Sequence, residues 1–229
     1  MNRVVCIVGM HRSGTSCLAG SLEEAGLHLG DVFRVGRHNL KGNRENGRIM
    51  ALQEEILVHS GGSWNQPPEQ ECWSDAHRAD RDSIIRSYGD VSVWGFKDPR
   101  TTLLVDFWRE TLPNLRPVGT LRHPQCVAES LQKRGGGSID DWLDLWAHYN
   151  RRLLALHESG PFPIVRFDLG DQAYRRSLMA AMDHLRLRPP ARMGFFDPLL
   201  RHHERPPRFP MPEHVTQLYD ALCRVAIDR

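Results

Sequence analysis

A glycine-containing loop follows the first apolar run of the chain and has the spacing of a phosphate-binding site. The stretch GMHRSGTS, residues 9–16, comes directly after the run VVCIV and opens a predicted helix. Gly9 and Gly14 allow the backbone to turn sharply and approach an anion, towards which the NH groups of a helix start also point. In nucleoside triphosphate-binding loops of the form GxxxxGK(S/T) a lysine reaches the β- and γ-phosphates, but Thr15 holds that position here. The cation is instead Arg12, so the pattern predicts a phosphate-like group bound by arginine, the alternative being a turn that merely contains one.

Alternating strands and helices are expected to position this loop. Four short runs of β-branched and apolar residues are nearly continuous, as is typical of strands buried on both faces of a parallel sheet. These runs are residues 4–8, 91–96, 117–121 and 163–167. Helical patterns lie between them, which predicts βαβ units and a doubly wound α/β sheet. A ligand should then bind at the carboxyl ends of the strands.

Length and composition bound the class of protein. The 229 residues are predicted to form a single domain with insertions at about 31–44 and 61–73 and an irregular arm at about 189–212. The formal net charge of +2 gives no reason to expect a nucleic-acid partner, and the longest apolar run is too short for a membrane span. The five cysteines include no CxxC pair and the twelve histidines no HExxH motif. We therefore expect a cytoplasmic protein that requires no metal, while its oligomeric state stays open.

Two separated motifs together resemble one enzyme family. The first is His11-Arg12-Ser13-Gly14-Thr15-Ser16, and the second is Arg122 at a strand end, followed eight residues later by Ser130. They resemble the K/R-S-G-T-S/T loop and the 3′-phosphate site of the sulfotransferases that use 3′-phosphoadenosine 5′-phosphosulfate, in particular bacterial members and, distantly, tyrosylprotein sulfotransferases. The resemblance implies a P-loop NTPase-like three-layer α/β/α fold with a central parallel sheet of about four or five strands. It also implies that the donor is bound by Arg12, Ser13, Gly14, Thr15, Ser16, Arg122 and Ser130.

Further segments resemble the family at the positions that perform the reaction. Sulfuryl transfer to a hydroxyl needs a base for the acceptor's proton and cations for the charge on the transferring group. Residues 96–100, FKDPR, resemble a KDP segment whose lysine supplies such a cation, which makes Lys97 and Arg12 the catalytic cations. Residues 39–45 resemble an N-x-K-G-x-x-E stretch, which makes Glu45 the first candidate for the base. The other candidates are His38 and His11.

Some of these residues also have plain structural explanations. Glu45 could instead be an acid in the first turn of a helix, where it would complement the helix dipole. Asp98, followed by Pro99, is predicted to be a helix N-cap rather than a catalytic group. The stretch RGGGS from Arg134 to Ser138 could form the edge of a moving lid or only a linker.

The chain also departs from the family pattern. Cys17 stands where cytosolic steroid and phenol sulfotransferases have a tryptophan that stacks on adenine, and their C-terminal RKGxxGxWK segment is absent. Another group must therefore complete the nucleotide site, and Arg201 is the candidate. The loops at about 31–44 and 61–73, with Trp64 and Trp73, are expected to line the pocket of the acceptor.

The motifs leave three functions open. The first is a sulfotransferase that acts on a hydroxyl or amine of a small molecule, carbohydrate or lipid. The second is a small-molecule kinase with a degenerate P-loop, which would need magnesium and could use Asp98 and Asp168 to hold it. The third is a nucleotide-binding module without catalytic activity.

Overall fold

The computed structural model describes residues 2–35, 41–197 and 209–227 of the chain. Within these ranges it contains four strands and eight helices. The strands are β1 (Arg3–Val8), β2 (Val93–Lys97), β3 (Arg116–Leu121) and β4 (Ile164–Arg166). The helices are α1 (Thr15–Glu24), α2 (Gly47–His59), α3 (Asp75–Ser87), α4 (Thr101–Arg109), α5 (Pro124–Gly135), α6 (Ile139–Ser159), α7 (Asp171–His184) and α8 (Glu213–Val225).

The four strands form one parallel sheet in the order β2-β1-β3-β4. Successive side chains of β1 enter two different apolar clusters, with Val4 and Cys6 on one face of the sheet and Val5 and Ile7 on the other. A strand that is covered on both faces has no need for polar positions, which explains its continuous apolar run. The α/β fold with a central parallel sheet is confirmed.

Helices cover both faces of this sheet and give the predicted three layers. On one face, α1 and α7 contribute Leu18, Leu22 and Leu178 to the smaller cluster. On the other face, a larger cluster receives Phe107 from α4 and Trp146 from α6, and it also takes side chains from α2, α3, α5 and α8. None of the helices in the described ranges has the length and apolar character that crossing a membrane would require.

The order of the strands creates a crevice at the carboxyl edge of the sheet. After β1 the chain continues to β2, which pairs with one edge of β1, whereas β3 pairs with the opposite edge of β1. The connections that follow β1 and β3 therefore diverge, and ligands of open α/β sheets bind at such a point. These two connections carry the glycine loop and Arg122.

The start of α4 differs from the prediction made for Asp98. The helix begins at Thr101 with Arg100 at the N-cap position, so Asp98 is not its N-cap residue. The Asp98 carboxylate instead accepts a hydrogen bond of 2.9 Å from the Arg100 NH, and its carbonyl accepts one of 3.0 Å from the Thr101 NH. Asp98 thus closes a turn that precedes the helix, because Pro99 and Arg100 form that turn before the helix begins.

Candidate active site

The loop after β1 has a backbone that its two glycines make possible. The φ angles are 141° at Gly9, 66° at Arg12 and 87° at Gly14. A Cβ on Gly14 would lie 2.2 Å from the ring of Phe167, and one on Gly9 would lie 2.6 Å from the Thr120 carbonyl. A positive φ is uncommon for a residue such as Arg12 and tends to occur at functional sites. The loop is therefore held in a conformation that no larger residue at either glycine would allow.

The loop leads into α1 without any side chain that caps the helix. Gly14 occupies the N-cap position, and Thr15 begins the helix. The Ser13 hydroxyl is buried and has no hydrogen-bond partner among the described residues. The NH groups of a first helical turn lack partners within the helix, so this end of α1 can donate hydrogen bonds to an anion. The candidate residues Ser13, Thr15 and Ser16 thus lie around one helix start.

The two motifs of the sequence meet in space. Arg12 Nε donates a hydrogen bond of 2.9 Å to Ser130 Oγ on α5, although 118 positions separate the two residues. Arg122 Nη1 donates one of 3.1 Å to the Arg12 carbonyl, and the Arg122 carbonyl accepts one of 3.1 Å from Trp146 Nε1. The structure therefore brings together Arg12, Arg122 and Ser130 at the carboxyl edge of the sheet.

This group of side chains carries strong positive charge. Burial lowers the pKa of the Arg12 guanidinium, and the nearby charges of Arg134 and Arg122 lower it further. No carboxylate of the described residues forms an ion pair with any of these three arginines. Cations crowded together in a partly buried crevice favour the binding of an anion. Arg134 had been noted in the sequence only as the start of a glycine-rich stretch.

Lys97 and Glu45 form a buried ion pair in the same crevice. The Lys97 Nζ lies 2.6 Å from Glu45 Oε1, and the two side chains are only 3% and 12% exposed. Lys97 is the last residue of β2, and Glu45 precedes α2. The alternative explanation for Glu45, an acid in the first turn of a helix, is wrong: α2 begins at Gly47, and Asn46 caps it with its own side chain. Glu45 is turned towards the strand edge instead.

Asp98 and Asp168, the carboxylates that a kinase could use for magnesium, both have partners within the protein. Asp98 is completely buried and accepts hydrogen bonds of 3.0 Å on both oxygens from Arg100 Nη1. Burial raises the pKa of Asp98, and Arg100 opposes this effect. Asp168 Oδ2 accepts hydrogen bonds from the His123 NH at 3.1 Å and from the Tyr219 hydroxyl at 3.0 Å. The observed partners give both aspartates a structural role.

The ring of His11, a residue of the glycine loop, packs against the ring of Trp64. Their ring centroids lie 4.5 Å apart, and Trp64 stacks on Trp142 at 6.4 Å. Burial, and then the charges of Arg100 and Lys97, lower the pKa of His11 well below its ordinary value. The imidazole is therefore neutral at pH 7, and its Nε2 has no hydrogen-bond partner among the described residues. His38 and Arg201, the other candidates, lie outside the described residues.

The two tryptophans expected at the acceptor pocket lie in different places. A cavity of about 490 Å³ lies next to Trp64, and Asn65 and Trp142 contribute to its lining. Trp73 does not join it, because its ring packs against Phe107 and its Nε1 donates a hydrogen bond of 2.8 Å to Glu110. Only the first of these tryptophans is near the glycine loop.

Solved structures with a similar fold are sulfotransferase domains. No family model and no curated protein matches the chain. Among solved structures, the chain is similar to the sulfotransferase domain of the Synechococcus PCC 7002 olefin synthase, with 18% identity, a TM-score of 0.60 and coverage of 97% of this chain and 94% of that one. The chain has the sulfotransferase fold. A second sulfotransferase domain, from the curacin biosynthetic pathway, shows 14% identity, a TM-score of 0.50 and coverage of 96% and 78%. The fold implied by the sequence motifs is thus confirmed, and at these identities the likeness concerns the fold.

Proposed function

We propose that the protein is an enzyme that transfers a sulfuryl group from 3′-phosphoadenosine 5′-phosphosulfate to a hydroxyl or amine of an acceptor. One observation supports the proposal most strongly. In a chain with the sulfotransferase fold, Arg12 of the glycine loop contacts Ser130 and Arg122 at the carboxyl edge of the sheet. Two motifs that are distant in the sequence thus form one cationic site. The acceptor is a small molecule, a carbohydrate or a lipid, and we expect the reaction to take place in the cytoplasm.

The residues around the loop fit an anionic donor. The positive φ angles of Gly9 and Gly14 give the loop its shape, and the uncapped start of α1 supplies hydrogen-bond donors for a phosphosulfate. Arg12 would hold the 5′-phosphosulfate, while Arg122 and Ser130 would hold the 3′-phosphate. The donor supplies the activated sulfuryl group, and its 3′-phosphate distinguishes it from ATP.

Lys97 and Glu45 have the chemistry that the acceptor side of the reaction needs. The Glu45 carboxylate accepts the proton of the acceptor hydroxyl, and the Lys97 ammonium neutralises negative charge on the transferring group. Since the two groups pair with each other, each must exchange this partner during the reaction. The imidazole of His11 is the alternative candidate for this base, since His38 lies outside the described residues.

The structure gives less support to the other two functions. A kinase would need carboxylates for magnesium, whereas Asp98 and Asp168 are occupied by Arg100, His123 and Tyr219. A binding module without activity is less favoured because the cations Arg12 and Lys97 and the candidate base Glu45 are present together.

Calorimetric titration of the purified protein tests the proposal. Tight binding of 3′-phosphoadenosine 5′-phosphate, with weak binding of ADP and of ATP with magnesium, is the expected result. Preference for ATP with magnesium would overturn the proposal in favour of a kinase. Transfer of label from the sulfur-labelled donor to a panel of hydroxylated compounds would then separate an enzyme from a binding module.

A further inference from the structure

A row of three aromatic rings leads from the glycine loop to the cavity next to Trp64. The ring centroid of Trp64 lies 4.5 Å from that of His11 and 6.4 Å from that of Trp142. All three side chains are partly exposed. Trp142 also lines the cavity, whose volume of about 490 Å³ lies within the usual range of ligand sites. The row therefore connects the place of the proposed reaction with a cavity that can bind a second part of the acceptor.

Two glycines fix the ring of Trp142. Its Nε1 donates a hydrogen bond of 2.8 Å to the Gly136 carbonyl. Gly137 has a φ of 81°, and a Cβ there would lie 3.1 Å from the same nitrogen. Since the indole NH already has a partner, the surface that Trp142 offers to a ligand is its apolar ring. An aromatic ring that is held in this way loses little conformational freedom when a ligand packs on it.

Polar groups surround this ring in the wall of the cavity. Asn65 contributes an amide, Asp141 a carboxylate and His148 an imidazole. The Nε2 of His148 is buried and has no hydrogen-bond partner among the described residues. Burial, and then the charge of Arg151, lower the pKa of His148, so its imidazole is neutral at pH 7. Such a set of donors and acceptors matches a ligand with several hydroxyls, because each hydroxyl also donates and accepts.

The same lining disfavours other classes of acceptor. Apart from Trp142, the larger apolar residues in the described part of the wall are Pro67 and Leu145, which cannot form a continuous surface for a lipid chain. A simple arene would leave the polar groups of the wall without partners, and buried groups of this kind are costly. An acidic ligand would meet the like charges of Asp141 and Asp144.

We propose that the acceptor is a carbohydrate of at least two sugar units, one of which binds in this cavity while another presents its hydroxyl to Glu45. This inference rests on the proposed function. A sugar ring has a face of C–H groups, which packs on Trp142, and hydroxyls at its edge, which bond to the polar wall. More than one unit is needed because Trp64 lies between the loop and Trp142.

The transfer step is the one already proposed, now with a sugar hydroxyl as the nucleophile. Its oxygen forms a new bond to sulfur, and the bond between sulfur and the bridging oxygen of the donor breaks. The hydroxyl proton passes to Glu45, and 3′-phosphoadenosine 5′-phosphate leaves. The sugar unit in the cavity takes no part in the chemistry and only positions the reacting unit.

Asp141→Ala is the first test, with Asp140→Ala as the matched control. Both aspartates are exposed and lie in the first turn of α6, but of the two only Asp141 lines the cavity. Each protein is saturated with 3′-phosphoadenosine 5′-phosphate and applied to an array of neutral mono-, di- and trisaccharides. Kinetics with the sulfur-labelled donor then give KM and kcat for the sugar that binds best.

The expected effect is on the sugar alone. Asp141→Ala should weaken sugar binding and raise KM about tenfold, since a hydrogen bond to a charged group contributes about that factor. The kcat and the affinity for 3′-phosphoadenosine 5′-phosphate should stay unchanged, and Asp140→Ala should alter none of these values. Trp142→Leu should also raise KM, whereas Trp142→Phe should retain part of the affinity because an aromatic face remains. Titration with the nucleotide shows that each variant is folded.

The outcomes separate this inference from the function on which it rests. If no di- or trisaccharide binds although 3′-phosphoadenosine 5′-phosphate binds tightly, the carbohydrate acceptor is overturned and the proposed function stays intact. Transfer of label to a long-chain alcohol or a simple amine in preference to sugars would also overturn it. Equal effects of Asp141→Ala and Asp140→Ala would remove the cavity from sugar binding. If the unmodified protein does not prefer the 3′-phosphorylated nucleotide over ADP and ATP, the proposed function itself fails.

Discussion

Replacing Glu45 by glutamine tests the buried ion pair that the structure places in the crevice. The pair has a separation of 2.6 Å, and its lysine is 3% exposed and its glutamate 12% exposed. Loss of one partner from a buried pair costs about 3–5 kcal/mol, because the other charge stays buried without compensation, whereas exposed pairs contribute about 0–1 kcal/mol. Glutamine keeps an acceptor oxygen beside Lys97, so we expect the lower end of the range, about 3 kcal/mol in the free energy of unfolding.

Chemical denaturation gives the stability, and the transfer assay gives the turnover. Glu54→Gln is the matched control, since Glu54 also pairs with a basic residue, Arg100 at 2.5 Å, but is 34% exposed. It should cost no more than about 1 kcal/mol. The double variant Glu45→Gln/Lys97→Met removes both charges and should recover most of the stability without recovering turnover. In the proposed reaction Glu45→Gln lowers turnover about 10²–10⁴-fold and leaves affinity for 3′-phosphoadenosine 5′-phosphate nearly unchanged.

Two results would refute this reasoning. If Glu45→Gln costs no more stability than Glu54→Gln, the pair does not behave as a buried pair, and its separation and low exposure have been misinterpreted. If turnover is unaffected, Glu45 is not the base, and a histidine takes that role. Stability and turnover are measured separately. A purely structural role of Glu45 would therefore lower the free energy of unfolding and leave turnover unchanged.

Three further predictions concern the loop and its neighbours. Arg122→Ala should weaken binding of 3′-phosphoadenosine 5′-phosphate far more than binding of adenosine 5′-phosphate, and equal losses in the two titrations would exclude Arg122 from the 3′-site. In denaturation experiments, Gly14→Ala should lower the free energy of unfolding by more than Gly26→Ala does. Both glycines have a positive φ, but only at Gly14 would the new Cβ clash with a ring, that of Phe167. The lowered pKa of His11 means that the folded state binds its proton less readily than the unfolded state, so stability should fall as the pH decreases below the unfolded value of 6.5. His11→Asn should reduce that fall in a series of unfolding curves, and an identical fall in the variant would contradict the burial of a neutral imidazole.

The sequence was sufficient to predict the sheet and the loop because local patterns determine both. The strand β1 is covered on its two faces, which produces a continuous apolar run that can be recognised without the structure. The loop needs glycine at two positions with positive φ, and this requirement leaves a fixed spacing in the sequence. The other strands and helices could then be predicted because the two kinds of element alternate along the chain.

Contacts between distant residues could not be predicted in the same way. The sequence offered no sign that Glu45 pairs with Lys97, since 52 positions separate them and both residue types are common on surfaces. The explanation that put Glu45 in the first turn of α2 was wrong because Asn46, a better N-cap residue, follows Glu45 directly. Arg134 was overlooked although a signal was available: the resemblance had placed Ser130 at the donor site, and residues four apart are neighbours on one helix face.

The partners of the basic residues divide the crevice into two parts with different tasks. Lys97 and Arg100 each pair with a carboxylate of the protein, so the part of the crevice near β2 is electrically balanced without a ligand. Arg12 and Arg122 donate to a hydroxyl and a carbonyl instead, which leaves their charge uncompensated by the described residues. In the proposed reaction the permanent charges of the nucleotide phosphates therefore go to the arginines, and the charge that appears during transfer goes to Lys97. An enzyme built in this way binds its nucleotide strongly even when the base is disabled, and this is why affinity and turnover should respond to different substitutions.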